Sequence, residues 1–497
     1  MIGGILQALL IALAAAVILV PFCRILAHRI GVVAHPRNDR WHRSTVPLLG
    51  GVAIAMATLA ASLMTGVAAA MVVPLSGAML IFALGLLDDI LSLKPSTKLI
   101  FQVAMAAALV YFGFRLNWLE SRLLDSALTM AWVVGLTNAF NLLDNMDGLC
   151  AGTAVVVALM LIAGFWTGVT REDAVAEMTY LAIIAGATIG FLFYNFPPAS
   201  IFMGDSGSLL LGFSLATLTL TPGGVRGSRS DVVSVIAGPV FVLLVPIFDT
   251  TLVTVARLLS GRSPAMGGRD HSSHRLVAIG LSERNAVFVL WLLAAIGGAI
   301  GLTLRTSTQG SIAAGALFVA GMCVFAVYLV RIRVYGATAA APPKTDAVTP
   351  LAGTFMYKRR VVEVIVDVGL VVAAYYITNR QLLDPEAYMQ HADSFYASLP
   401  LILAAQLLSF FAVGVYRGTW HYFGMKDGII VIKGVAVGLA AAAIVVVSLY
   451  RDPDFTWRVS LLYAAIVAVL VITSRLSLRL VGRALVLQRR ANLRLTR

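Results

Sequence analysis

The chain has 497 residues, 60% of them hydrophobic and 12% charged, with a formal net charge of +13. Soluble domains carry roughly 25% charge, so this composition excludes an ordinary soluble fold and points to an all-α polytopic membrane protein. The 3 cysteines offer neither a disulfide framework nor a zinc spacing.

The N-terminal run MIGGILQALLIALAAAVILVPF has no basic leader and reads as a retained first helix rather than a cleaved signal. Apolar length then gives about fifteen spans, at 4–23, 48–66, 71–87, 99–114, 127–143, 148–167, 177–193, 206–221, 232–256, 286–304, 311–330, 361–379, 397–415, 428–449 and 456–474. The uncharged stretch from Leu48 to Leu87 would make about 60 Å of helix, twice a hydrocarbon core, so it must hold two spans. Alternating the loops places 28 of the 37 Lys and Arg on one side. By the positive-inside rule that side is cytoplasmic, with the N-terminus outside and the C-terminus inside. The basic excess is therefore topological, and its partner is membrane lipid, not nucleic acid.

Asp88, Asp89, Asp144, Asp147, Asp205 and Asp270 all sort to the same cytoplasmic side. GLLDDILSLKPSTK (85–98) pairs Asp88 and Asp89 at a helix end and adds Lys94 and Lys98. The two acids are either solvated helix-end residues or a magnesium and general-base pair, since Mg²⁺ takes one or two carboxylates beside substrate phosphate oxygens. In NAFNLLDNMDGL (138–149), Asn138, Asn141, Asp144 and Asp147 recur every third residue and would form a polar stripe on one helix face. Capping would use one or two such residues, not five with Asn145. NFPPASIFMGDSGSLLLG (195–212) stops a helix at its prolines and restarts one near Asp205, which suits either an N-cap or an anion site. GRSPAMGGRDHSSHRL (261–276) gathers Arg262, Arg269, Asp270, His271, His274 and Arg275, either a basic loop or a phosphate-recognition element. Carboxylates for Mg²⁺ and cationic donors for a diphosphate on one membrane face are the requirements of phosphoryl transfer.

These four motifs, in this order and topology, resemble those of the polyprenyl-phosphate N-acetylhexosamine-1-phosphate transferases, a superfamily of WecA-type initiators and phospho-MurNAc-pentapeptide transferases. The resemblance implies an enzyme of 11 spans within 1–333 that moves a sugar 1-phosphate from a UDP-sugar to undecaprenyl phosphate, releasing UMP. It implies Mg²⁺, with Mn²⁺ as a substitute, and a place in the bacterial inner membrane at the start of cell-envelope polysaccharide synthesis. GlcNAc-1-phosphate is the expected group; a MurNAc-pentapeptide transferase, or a non-catalytic scaffold or transporter of lipid-linked sugar, are the alternatives. Carried over residue by residue, Asp88, Asp89, Asp147, His271 and His274 would be catalytic. Asp205, Asp144 and Asp89 would hold the metal. Lys98, Asn138, Asn141, Asn195 and Arg275 would bind substrate. The chain departs from the family pattern at Asn145, at Ala34 and in the form of its histidine motif, HSSHR. A homodimer is a further expectation.

The Ala/Pro/Thr-rich segment 334–357 reads as a cytoplasmic linker. Residues 358–497 resemble the four-helix membrane domain of CapD-like polysaccharide proteins without its dehydratase. They are expected to serve as an anchor, or to dock a sugar-modifying or glycosyltransferase partner. Removing them is expected to leave the transfer chemistry in place.

Overall fold

The computed structural model describes residues 1–34, 45–167, 174–222, 232–260, 268, 270–304, 309–332, 359–382, 385–417, 424–450 and 459–477. Among the described residues the fold is all-α apart from two short antiparallel ladders, Val33–Ala34 with Val46–Pro47 and Phe114–Arg115 with Thr221–Pro222. Among the described residues eleven helices are long and apolar enough to cross a bilayer, and one bent pair would make a twelfth. Every expected span has a helical counterpart, but three are short: Gly50–Met64, Pro95–Tyr111 and Gly204–Thr217, with 15, 17 and 14 residues.

Packing divides the chain into two compact units, 1–93 with 113–357, and 94–112 with 358–497. A division drawn along the chain at 334–357 is therefore crossed by one helix, Pro95–Tyr111, while that linker lies outside the described residues.

The first unit holds α1 (Ile2–Ile30), α2 (Gly50–Met64), α3 (Val67–Ala70) and α4 (Val72–Leu91). After the excursion of α5 (Pro95–Tyr111) it resumes with α6 (Arg122–Leu143), α7 (Leu149–Thr167), α8 (Val175–Asn195) and α9 (Gly204–Thr217). It ends with α10 (Val232–Val242), α11 (Leu244–Leu259), α12 (Ser272–Ala278), α13 (Glu283–Leu304) and α14 (Gln309–Arg331). Helix α1 packs along α8 through a stripe of small residues, Ala8, Ala12, Ala16, Val20, Cys23 and Ala27, all buried. Small side chains let helix backbones approach closely where lipid gives no hydrophobic push.

Helix α9 is the hub. At about 21 Å it is too short to span a hydrocarbon core, but Gly204 and every residue from Ser206 to Thr217 are buried, against α2, α4 and α6. Protein, not lipid, surrounds it, so its length answers to its neighbours. Gly85 of α4 lies where the start of α9 passes; a Cβ there would sit 2.6 Å from the Asp205 carbonyl oxygen. The expected span 232–256 is two helices, with Ile236–Val242 and Leu244–Leu259 bent by 73°. Pro246 has no N–H for the Val242 carbonyl four residues back, and its ring clashes there, which breaks the ladder at Leu243.

The second unit packs α5 with helices Arg359–Leu382 and Pro385–Val413, and Pro385–Val413 packs in turn with Met425–Tyr450. Helix Val459–Ser477 completes it. The rings of Phe101 and Phe411 meet edge-on at 5.5 Å. A buried ion pair joins Asp367 to Arg475, and the Tyr375 hydroxyl shares a 2.8 Å hydrogen bond with Ser398.

Candidate active site

The motifs separated along the chain meet around the start of α9. Asp89, near the end of α4, accepts the Asp205 N–H on Oδ1 at 2.8 Å and the Ser206 N–H on Oδ2 at 3.0 Å. The first N–H groups of a helix have no partner of their own, so this acid from a remote segment caps α9. The cap is close-fitting: Gly204 has φ +69°, and a Cβ on it would sit 2.5 Å from Asp89 Oδ2. Asp88 turns the other way, accepting the Leu93 N–H on Oδ1 at 2.6 Å, which closes the turn after α4.

From the last turn of α6, Asn141 donates through Nδ2 to Asp205 Oδ1 at 2.9 Å and to the Ser208 hydroxyl at 3.0 Å. Asp144 is the C-cap residue of the same helix, one turn beyond Asn141, and is partly buried. Asn138 donates back to the Val134 carbonyl at 2.8 Å within the helix. Asp147 accepts the Ala199 N–H at 2.8 Å, and the Ser273 hydroxyl of α12 donates to Asn145 Oδ1 at 2.6 Å. The 144–148 turn thus ties α6 both to the 195–203 loop and to the histidine motif.

Two expected substrate groups are engaged internally. Asn195 is 3% exposed; its Oδ1 accepts the Gly148 N–H at 3.0 Å and its Nδ2 donates to the Ile201 carbonyl at 2.9 Å. It clamps two loops that carry site residues. Arg275 is 4% exposed and donates through Nη1 to the carbonyls of Leu329 and Ile332 at 2.7 and 3.0 Å, satisfying the end of α14. Its Nε donates to the Asp270 carbonyl at 2.8 Å. Lys98 is carried by α5, in the other unit. Of the remaining basic groups, Arg262 and Arg269 lie outside the described residues.

Two buried groups on α11 went unread in the sequence. Asp249 meets His271 Nδ1 at 2.7 Å, and Arg257 Nε donates to Asp270 Oδ2 at 2.9 Å. The signal was available: an acid inside an apolar span is costly and therefore a functional candidate. His271 and His274 are both 5% exposed, their rings edge-on with centroids 6.0 Å apart.

Among the described residues no group of three or more His, Cys, Asp and Glu side chains is gathered to hold a metal by itself. Mg²⁺ does not need one, because it binds through one or two carboxylates plus water and substrate phosphate. Asp205, held by Asn141, and Asp144, one turn beyond Asn141 on the same helix, are partly buried hard-oxygen donors and fit that smaller set. Asp89 gives an oxygen to each of the Asp205 and Ser206 N–H groups and so holds the start of α9 in place.

The glycosyl transferase family 4 model matches residues 71–223, the stretch that carries Asp88, Asp89, Asn141, Asp144 and Asp205. A Bacillus subtilis (strain 168) protein named "Probable undecaprenyl-phosphate N-acetylglucosaminyl 1-phosphate transferase" is 34% identical over 319 residues, 61% of this chain and 86% of its own length. The decaprenyl-phosphate N-acetylglucosaminephosphotransferase of Mycobacterium tuberculosis (strain ATCC 25618 / H37Rv) is 33% identical over 349 residues, 62% of this chain and 85% of its own. A phospho-N-acetylmuramoyl-pentapeptide-transferase of Mycobacterium avium (strain 104) is 31% identical over 355 residues, 60% of this chain and 96% of its own. With the motifs converging on one site and relatives matched over most of their length, the chain belongs to the polyprenyl-phosphate N-acetylhexosamine-1-phosphate transferase family and is a glycosyl-1-phosphate transferase.

Proposed function

We propose that this enzyme transfers N-acetylglucosamine 1-phosphate from UDP-N-acetylglucosamine to undecaprenyl phosphate, as a first step of cell-envelope polysaccharide synthesis. An oxygen of the lipid phosphate attacks the β-phosphorus of the donor. The new P–O bond forms as the bond between the β-phosphorus and the bridging oxygen breaks, and UMP leaves with that oxygen. The observation that carries this reading is the hydrogen-bonded convergence of Asp89, Asp205, Asn141 and the 144–148 turn in one place. The relatives named as N-acetylglucosamine-1-phosphate transferases support the choice of sugar.

Chemically, phosphoryl transfer asks the protein for placement and for charge compensation. When bound, Mg²⁺ supplies neutralisation of the diphosphate charge, and Asp205 with Asp144 are the residues we assign to hold it. Asn141 fixes the Asp205 carboxylate from the side and Asp89 fixes its backbone from below the helix end. Asp88 is assigned to the lipid phosphate, to position it or to hold its proton. The distribution of Lys and Arg supports a cytoplasmic site in a bacterial inner membrane.

The test is UMP release by purified protein in lipid nanodiscs. UDP-GlcNAc, UDP-GalNAc and UDP-MurNAc-pentapeptide would each be offered with and without undecaprenyl phosphate, and with Mg²⁺ or EDTA. Release that needs lipid and metal, fastest with UDP-GlcNAc, is expected. Faster release from UDP-MurNAc-pentapeptide would reassign the substrate, and release without lipid would reject the acceptor.

A further inference from the structure

The histidine motif is held from behind by one buried acid. Asp249 lies on α11, in an apolar helix, and is 1% exposed. A carboxylate there is tolerated only when its oxygens are satisfied, and the three partners come from two consecutive residues. Oδ2 meets His271 Nδ1 at 2.7 Å, while Oδ1 accepts both the Ser272 N–H at 2.7 Å and the Ser272 hydroxyl at 2.6 Å. Two turns further along α11, Arg257 grips Asp270, the residue just before His271. Helix α11 therefore forms a backboard for residues 270–272.

Capping a seven-residue helix does not require all of this. The Ser272 contacts would suffice to start α12, yet the second carboxylate oxygen is spent on the imidazole. Oδ1 takes two donors from Ser272, an environment that favours the ionised carboxylate, and an ionised carboxylate has no proton to give, so Oδ2 accepts from Nδ1. The proton on His271 then sits on Nδ1. Nε2 is left as the nitrogen for chemistry, to take a proton or, once protonated, to donate to an oxygen. An acid orienting the far side of an imidazole in this way fixes both tautomer and ring plane.

We infer that Asp249 is a positioning residue that sets which nitrogen of His271 meets the sugar diphosphate. This rests on the reading of His271 as a group that contacts the donor. Asp249→Asn is the informative change. Its oxygen can still accept from Ser272, but its amide N–H₂ faces Nδ1, which must become the acceptor, and the proton moves to Nε2.

The experiment measures UMP release from UDP-GlcNAc and undecaprenyl phosphate in nanodiscs for wild type, H271A, D249N and the double variant. D249N should lower kcat about 100-fold or more while changing KM for UDP-GlcNAc far less. The double variant should be no slower than H271A alone, because residues acting as a unit are not additive. Wild-type turnover in D249N, with H271A impaired, would overturn the inference and leave the role of His271 standing. A double variant slower than H271A by the full D249N factor would assign Asp249 an independent structural role. Wild-type turnover in H271A would overturn both readings. Should D249N fail to fold, ¹⁵N-histidine NMR of the wild-type protein decides: protonation at Nδ1 of His271 is expected, and protonation at Nε2 alone would refute the assignment.

Discussion

Replacing Asp89 by Asn separates capping from chemistry at the site. The carboxylate holds two backbone N–H groups, those of Asp205 at 2.8 Å and Ser206 at 3.0 Å. Asparagine offers one oxygen, so its amide would face the other N–H, donor against donor. The change forfeits one charge-assisted hydrogen bond, worth about 1.5–3 kcal/mol. It also removes a negative charge from a helix N-terminus, worth about 0.3–1 kcal/mol. Because Asp89 is partly exposed, the lower ends apply, and a loss of about 2 kcal/mol is expected. Thermal unfolding in nanodiscs should show a lowered midpoint, and UMP release should fall with it, since Asp205 loses its anchor. Asp88→Asn is the control: its Oδ1 accepts the Leu93 N–H and closes a local turn, which an asparagine oxygen can still do, so turnover should fall with little change in unfolding. An Asp89→Asn protein that unfolds like wild type while losing turnover would refute the capping argument and return Asp89 to direct chemistry.

Asp205→Asn is expected to reduce UMP release to background without unfolding the protein, and wild-type turnover persisting in EDTA would remove metal from the mechanism. Asn195→Ala leaves the buried Gly148 N–H and Ile201 carbonyl without their partner, a cost of about 2–4 kcal/mol. The expected readout is a lowered unfolding midpoint with KM for UDP-GlcNAc unchanged in what folds; a raised KM at wild-type stability would restore a substrate contact. Deleting residues 340–497 strips α5, which carries the buried Ser96 and Gln102, of Phe411 and of the two helices it packs against. Polar side chains facing lipid are costly, and α5 begins seven residues after Asp88, so turnover should fall at least about 10-fold. Wild-type turnover in a folded truncated chain would make the C-terminal helices a passenger.

Span positions were legible because apolar length and the cost of charge in lipid act residue by residue along the chain. Gly204–Thr217 lies two to four residues before the expected 206–221: it is surrounded by protein, so no hydrocarbon thickness sets its ends. Asp88, Asp89, Asn141 and Asp205 could be singled out as polar residues in costly places, but not which of them touch. That Asp89 caps the helix of Asp205, across more than a hundred residues, depends on how α4 packs on α9. Arg275 shows what residue type alone leaves open. A guanidinium suits phosphate and backbone carbonyls equally, and only the tertiary position of the end of α14 decides between them. The same ambiguity holds for Asn195, whose amide serves two buried backbone groups. Helix α5, read as part of the first eleven spans, packs with the C-terminal helices, and nothing in a local apolar pattern announces its neighbour.

Four polar groups of this site are fixed by neighbours from other segments. Asp205 is held by Asp89 and Asn141, Asn145 by Ser273, Asp147 by Ala199, and His271 by Asp249. In a low-dielectric surrounding such bonds are strong, and an unpaired polar group is correspondingly costly. A set of acids, amides and imidazoles inside an apolar bundle therefore survives only as a network. That network also holds its members in fixed positions before any substrate arrives, which is the condition for stabilising charge during phosphoryl transfer. The cost of burying these residues and their fitness for catalysis have the same cause. For this reason the partners from α11, which lie outside the four motifs but hold residues 270–272 of the histidine motif, are part of that network.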